Sequence, residues 1–416
     1  MGRVSRWTSE AGLALIRIAL AVVGVCCALS AQEMMPAADG IAHPLYTDMA
    51  VLEAQETRKE IPCDVEPVKP SLGFDLKFHA GYLVTVPLKE LSGNGNQLTM
   101  VFRIVPAAKS DDPVYMWQHI PVPEIEADAR GEAFLDGSYD IGEGKYHVSW
   151  LMRDRTERVC SSNWDVDASL SAREKGIPLE IASGDVQAAD RELFKSEPAP
   201  ERGGGDAPLY IKVLVNFAPP DSSSAAMQPA DRESMIAILR NIARDSRITR
   251  FSLVAFDIRE ERVVFRQKGD DQIDFPALGE AFESLVFGTV RLHQLVAKHS
   301  ASEFLGGLLL EELGNTRDQP DAVVIAGPRL TDDDPVPQEY LKQLGELRFP
   351  VFYLNYVPNP SDTPWRDSIE GAVRYLKGVD YTISKPRDMY SAWGEIMGRV
   401  VKSKVGKVAT GGASSQ

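Results

Sequence analysis

The chain has 416 residues, 44% of them hydrophobic, which gives a globular protein material for two or three separate cores. Lys and Arg number 45 against 60 Asp and Glu, a formal charge of −15. Nucleic acid is therefore excluded as an expected partner, because phosphate binding needs a basic face.

Residues 1–31 stand apart from the rest. Arg3, Arg6 and Arg17 precede an apolar run over 18–29, and Ala28-Leu29-Ser30-Ala31 supplies small residues for cleavage after Ser30 or Ala31, the pattern of a secretory signal peptide. An uncleaved anchor is the alternative, but the run falls short of the roughly 20 residues a membrane span needs. Cys26 and Cys27 lack a small residue immediately before them, so a lipoprotein is not expected. Removing 1–31 takes away Arg3, Arg6, Arg17 and Glu10, a net of +2, and leaves −17. Only Cys63 and Cys160 of the four cysteines then remain. An even pair in an exported chain is expected to form a disulfide, here closing a loop of about 97 residues. Two separate buried thiols are the alternative.

The segment 32–62 is polar and mixed, with a helix-like stretch over 48–59, and reads as a tether or as a helix lying on the next domain. From 63 to 169 short period-two runs appear at 74–78, in part of 81–88, and at 97–105 and 145–151. They are separated by the turns Ser92-Gly93-Asn94-Gly95-Asn96, Asp136-Gly137-Ser138 and Gly142-Glu143-Gly144. That spacing predicts an all-β sandwich, with Trp117, Trp150 and Trp164 in its core and rim. The stretch 170–207, with Pro198, Pro200 and Gly203-Gly204-Gly205, has the composition of a linker.

Strands and helices alternate from 208 to 403, which predicts an α/β domain with a doubly wound, mainly parallel sheet. PLYIKVLVNFA at 208–218 and DAVVIAG at 321–327 are continuous apolar runs, as strands buried on both faces of such a sheet are. Met235, Ile236, Ile238, Leu239 and Ile242 give 231–243 a helical apolar face. A strand at 250–256 is joined to one at 262–266 by Arg259-Glu260-Glu261, too short for a crossover helix, so this pair is expected to be antiparallel with the second strand at the edge. Helices are expected at 276–286, 292–313, 338–347, near 368–376 and at 388–401, and strands at 322–326 and 351–355. Residues 404–416 read as a disordered tail.

This order of elements resembles a von Willebrand factor type A domain, in the degenerate form found in exported acidobacterial proteins. The resemblance covers 208 to about 401 and rests on element order more than on motif. It implies a metal site at the carboxyl ends of the strands: Asp-x-Ser-x-Ser after the first strand, a Thr in a middle loop and an Asp after the fourth strand. The matching positions are Asn216, Ala218 and Pro220, then Ser302 or Thr289, then Gly327. Nearly every ligand is replaced, so neither metal nor cofactor is expected. A hard cation needs several converging oxygens, and the acidic loops offer Asp221, Asp257 and Asp332-Asp333-Asp334 as an improvised set. Ser222, His299 and an Asp form the triad a hydrolase would use. The chain holds no His-Glu-x-x-His run, no Gly-x-Ser-x-Gly elbow and no phosphate-binding glycine loop.

Ligands of open α/β sheets sit beyond the carboxyl ends of the strands. The expected binding crevice therefore comprises Phe217, Asp221, Ser222, Pro328, Arg329 and Asp332. Its shape separates two functions. A crevice filled by Phe217, Pro219 and Pro328 fits a non-enzymatic protein-binding or assembly module, exported to the periplasm or beyond, whose partners are other proteins and not nucleic acid or, after cleavage, membrane. A pocket with converging polar groups fits a hydrolase.

Overall fold

Alternating residues of the first half become antiparallel strands in the computed structural model, which describes residues 33–34, 45–93, 95–190, 192–200, 208–220, 224, 226–283, 300–315, 317–330, 334–358 and 367–411. The chain divides into two units. One comprises Met1–Val68, Gly81–Gly137 and Tyr146–Val166, and the other Lys69–Ala80, Ser138–Lys145 and Asp167–Gln416.

The strands β1 (Glu33–Met34), β2 (Asp64–Leu72), β3 (Phe78–Pro87), β4 (Asn96–Pro106), β5 (Val114–Val122), β6 (Glu132–Ile141), β7 (Gly144–Arg153), β8 (Val159–Ala168) and β9 (Val186–Ala188) form two sheets. One has the order β1-β5-β4-β7-β8 and the other β2-β3-β6-β9. Helix α1 (Tyr46–Ala54) sets Val51 and Leu52 against Val101, Leu151 and Val159. Its buried Asp48 accepts a hydrogen bond from Arg153 at 3.0 Å. Of the two readings of 32–62, the helix packed on a sheet is the one observed; it stops before 59 because Gln55 turns left-handed, with φ 55°. Trp150 is fully buried, and Trp117 packs against the α1 cluster.

The stretch 170–207, linker-like in composition, contains β9, which pairs with β6 through Ile141 and Val186. Further along it, Phe194 stacks on Phe282, and half-buried Glu197 pairs with Arg240 and Arg244. The linker reading fails over these residues because the prolines and glycines outweigh two short apolar anchors, Val186 and Phe194, and one ion-paired acid, Glu197, in the composition. Gly203-Gly204-Gly205 lies outside the described residues.

The six-stranded sheet follows. Its strands are β10 (Leu209–Asn216), β11 (Ile248–Asp257), β12 (Arg262–Asp270), β13 (Ala322–Pro328), β14 (Val351–Tyr356) and β15 (Val379–Ile383), in the order β12-β11-β10-β13-β14-β15. Every pairing is parallel except β11 with β12. The antiparallel edge strand and the central place of β10 are as the connection lengths require. Alternate residues point to opposite faces of a strand, and they do so here. Ile211, Val213 and Val215 join one core with Leu253, Val324 and Phe352, while Leu214 joins another with Val254, Ile325 and Tyr353. Helices α2 (Pro229–Ala243), α3 (Phe275–Glu283) and α7 (Pro386–Gly411) cover the first face; α4 (Ser300–Leu313), α5 (Gln338–Leu344) and α6 (Ser368–Tyr375) cover the second. The tail reading is corrected over 404–411, where α7 continues to Gly411 and Lys404 is tied to Asp321 at 2.7 Å; residues 412–416 lie outside the described part.

Cys63 and Cys160 are bonded, with Cα atoms 6.4 Å apart. Such bonds form and persist in oxidising compartments, which points to a non-cytoplasmic location. No helix among the described residues is long and apolar enough to cross a membrane. The signal-peptide residues 1–31 lie outside the described part. Because the bond spans 97 residues, replacing both cysteines by serine is expected to lower the stability of the first unit by about 2–5 kcal/mol. Urea unfolding of the mature chain with and without reductant checks this, and native thiol titration should find no free cysteine.

Candidate functional site

β10 ends at Asn216 and β13 at Pro328, so the predicted crevice lies beyond these two residues. Asn216 is fully buried. Its Oδ1 accepts the backbone amides of Ala218 and Ile258, each at 3.2 Å, while its Nδ2 has no partner among the described residues. Gly327 sits directly against it: a Cβ built there would lie 2.8 Å from the Cβ of Asn216. The position where the resemblance calls for a carboxylate thus cannot carry a side chain unless β10 moves. Phe217, Ala218, Pro219 and Pro328 are buried, and Phe217 meets the ring of Phe282 edge-on at 4.7 Å.

The loop after Asn216 is held from behind by Arg259, which donates to the carbonyls of Pro219 and Pro220 at 3.0 and 3.2 Å. Arg329 donates its backbone amide to the carbonyl of Tyr356 at 3.0 Å, and Ser302 is buried within α4. Burial raises the pKa of Asp257, yet its carboxylate is committed to the turn, accepting the amides of Arg259 and Glu260 at 2.9 and 3.0 Å. The structure brings Asn216, Ala218 and Gly327 together. Asp221, Ser222, Ser223, Thr289, His299, Asp332 and Asp333 lie outside the described residues.

Sequence reasoning passed over Asp367 at this end of the sheet. It is buried and caps α6 by accepting the amide of Glu370 at 2.7 Å, and it also takes the Tyr353 hydroxyl at 2.9 Å. Burial and the adjacent Asp367 charge push the Tyr353 phenol well above its ordinary pKa. The signal was there in Asp367-Ser368 before an apolar-periodic run, which is the start of a capped helix.

A second polar cluster gathers residues from distant strands. The turn between β2 and β3, closed by the Gly73 amide on the Lys77 carbonyl at 2.9 Å, sets Asp75 beside His79. The imidazole Nε2 meets Asp75 Oδ1 at 2.9 Å, and Nδ1 meets Asp140 Oδ1, at the end of β6, at 2.8 Å. Lys77 Nζ lies 3.4 Å from Asp140 Oδ2. Partial burial by itself lowers the His79 pKa, but the hydrogen bonds its ring donates to Asp140 and Asp75, together with their charges, outweigh it and push it up to about 10. The ligand atoms of these three residues fall within 4.8 Å of one another. The carboxylates, however, straddle the ring, one on each nitrogen, so a single ion at the bond lengths of about 2.0–2.2 Å that zinc takes could not reach both acids and one nitrogen. The cation that fits between these carboxylates is the imidazolium itself, and the cluster acts as a clamp.

A concavity of about 480 Å³ in the second unit lies between the end of α2 and the start of α7. Met389, Trp393 and Ile396 face the core at helical spacing, which leaves Tyr390, 47% exposed, on the cleft side. Leu76 and Pro178 complete an apolar wall. The charged groups of the cleft are satisfied internally: Asp245 accepts Trp393 Nε1 at 2.9 Å and Arg247 at 2.6 Å, and Arg244 pairs with Glu180 and Glu197 at 3.1 and 2.9 Å. No histidine or cysteine lines it. This surface suits contact and offers no nucleophile paired with a base.

Two measurements follow from these geometries. Gly327→Ala forces a methyl into a filled space and is expected to cost about 1–3 kcal/mol in urea unfolding. For His79 the folded pKa of about 10 stands above the ordinary 6.5. The clamp's contribution is therefore complete below the lower value and is lost as pH rises through the upper one. An NMR titration of the His79 ring should show its midpoint near 10, and the loss of stability at alkaline pH should be smaller in His79→Gln.

No protein-family model matches the chain, and no curated protein matches it. Among solved structures, similarity is weak. A Northeast Structural Genomics Consortium target is 11% identical, with 28% of this chain and 95% of that one covered and a TM-score of 0.18. The β-glucosidase from Listeria innocua is 12% identical, with 27% and 17% covered and a TM-score of 0.17. The Bacteroides uniformis β-glucuronidase is 9% identical, with 76% and 38% covered and a TM-score of 0.19. The chain spans 17% and 38% of the two glycosidases' own length, and scores of this size carry neither fold nor activity across.

Proposed function

We propose that this protein is an exported, non-enzymatic protein-binding or assembly module, acting in the periplasm or outside the cell. In this reading its strand-rich half is a β-sandwich closed by the Cys63–Cys160 bond, and its α/β half is a von Willebrand A-like domain with a degenerate metal site. The observation that carries the proposal is the contact of Gly327 with Asn216 at the carboxyl end of the sheet. A site for catalysis or for a divalent ion needs converging polar groups with room for a ligand; the described strand ends offer instead backbone packed on backbone and the buried Phe217, Pro219 and Pro328. The cleft beside Tyr390 supports the binding half of the proposal, since an open apolar wall with internally paired charges matches a segment of a protein partner better than a small polar substrate.

Calorimetry of the mature chain with Mg²⁺ and Mn²⁺ is expected to give no one-to-one site tighter than about 1 mM, a bound set by the loss of charged ligands. A tighter site abolished by Asp221→Ala or Asp332→Ala would overturn the non-metal reading. For the binding reading, a photoreactive phenylalanine placed at Tyr390 should give a discrete crosslinked product in the native envelope, while the same probe at exposed Tyr375 should not. Equal labelling at both positions would remove the cleft from consideration.

A further inference from the structure

A second concavity, about 310 Å³, opens at the amino end of the six-stranded sheet. On the α4 side of β10 and β11 the later residues are apolar, Leu214, Val254 and Phe256. The earlier ones are Tyr210, Lys212, Arg250 and Ser252, with Tyr210 beside Arg250 and Lys212 beside Ser252 in the parallel register. Lys212 is buried, and its ammonium reaches Asp318 Oδ2 at 2.7 Å, Glu312 Oε2 at 3.2 Å and the Glu312 carbonyl at 3.0 Å. The Tyr210 hydroxyl donates to Asp318 Oδ1 and shares a hydrogen bond with Ser252 Oγ, both at 2.7 Å. Arg266 reaches Glu311 and Glu312, each at 3.0 Å. Every carboxylate lining the pocket is therefore matched by a cation of the protein.

The cations at the rim are not matched in return. Arg250 lies over the Tyr210 ring at 4.6 Å, with Gly269, at φ 69°, leaving the space its guanidinium fills. Arg250 acts on Asp318 through its charge without an ion-pair contact, and neither Lys268 nor Arg317 pairs with a carboxylate among the described residues. In a chain of net charge −15, a concave site whose five cations, Lys212, Arg250, Arg266, Lys268 and Arg317, exceed its three carboxylates, Glu311, Glu312 and Asp318, by two, over a floor of hydrogen-bonded polar groups, is a site for an anion. Two guanidinium forks match pairs of oxygens, and the lysine supplies a point charge.

We propose that this pocket binds a small tetrahedral oxyanion of the phosphate class, free or as the end group of a soluble phosphate monoester. The site is separate from the protein-binding reading and stands whether or not that reading holds. The test is calorimetry on the full mature chain at low ionic strength, with inorganic phosphate and glycerol 3-phosphate as probes. One-to-one binding is expected for at least one of them at about 1 mM or tighter. Combining Arg250→Ala, Lys268→Ala and Arg317→Ala is expected to weaken it by about tenfold or more, in keeping with the loss of charge-assisted hydrogen bonds. Lys268→Glu, a change at an exposed position, keeps the test valid if the triple variant fails to fold, and should weaken binding by repulsion. The tighter of the two probes identifies the source of the anion. No saturable binding by either probe, or affinity unchanged in these variants with the fold intact by circular dichroism, would overturn the proposal.

Discussion

A central strand of a sheet covered by helices on both faces has no access to water, so each polar group it carries must find its partner inside the protein. β10 obeys this constraint over its whole length. Ile211, Val213, Leu214 and Val215 are fully buried and apolar. Its two polar buried side chains, Lys212 and Asn216, stand toward the ends of the strand, where loops can reach them. A buried ammonium stripped of its partners is strongly destabilising, and a well-matched one is close to neutral. Glu312 and Asp318 are therefore required by Lys212, which fixes where Asp318 must stand.

The two ends of the sheet answer the constraint differently, and that difference decides where a ligand can go. At the carboxyl end, backbone packs on backbone at Gly327, the loop after Asn216 is tied to Arg259, and Asp367 is consumed by a helix cap and a tyrosine. At the amino end the carboxylates are satisfied from within and the surplus is cationic, exposed and concave. Open α/β sheets ordinarily place ligands at the carboxyl ends of their strands. In this chain the arrangement of charge and space favours the other end, and the apolar cleft by Tyr390 favours a surface between two helices.

Much of the second unit was legible because burial on both faces leaves a strong mark. Such strands select continuous β-branched runs, and PLYIKVLVNFA and DAVVIAG show them without ambiguity. The short connection before Arg262 fixed the antiparallel edge, and elimination left Cys63 and Cys160 to pair. β15 was missed because Val379-Asp380-Tyr381-Thr382-Ile383, half-exposed at a sheet edge, carries no such mark. β9 was missed because three residues in a Pro- and Gly-rich stretch are too few to outweigh composition. The sites were less legible for a topological reason. Lys212 is visible as a lysine inside an apolar run, but its partner Glu312 lies 100 residues on. His79 and Asp140 are 61 residues apart, and no local spacing connects them.

Asn216 shows why a chain of this layout carries an amide where its resemblance leads one to look for an acid. The side-chain oxygen is needed in any case, because it accepts the amides of Ala218 and Ile258 and so shapes both loops that leave the sheet. An aspartate would keep those two bonds and would add a second charged oxygen in a fully buried place, which a cation must balance. A leucine would leave two backbone amides without acceptors. The amide retains both bonds, carries no charge, and leaves one donor, Nδ2, without a partner among the described residues, where an unmade bond costs about 1–3 kcal/mol. Gly327, pressed against its Cβ, carries no side chain that could take that donor. Asparagine is thus the residue that keeps the loop geometry of a strand end without committing it to an ion.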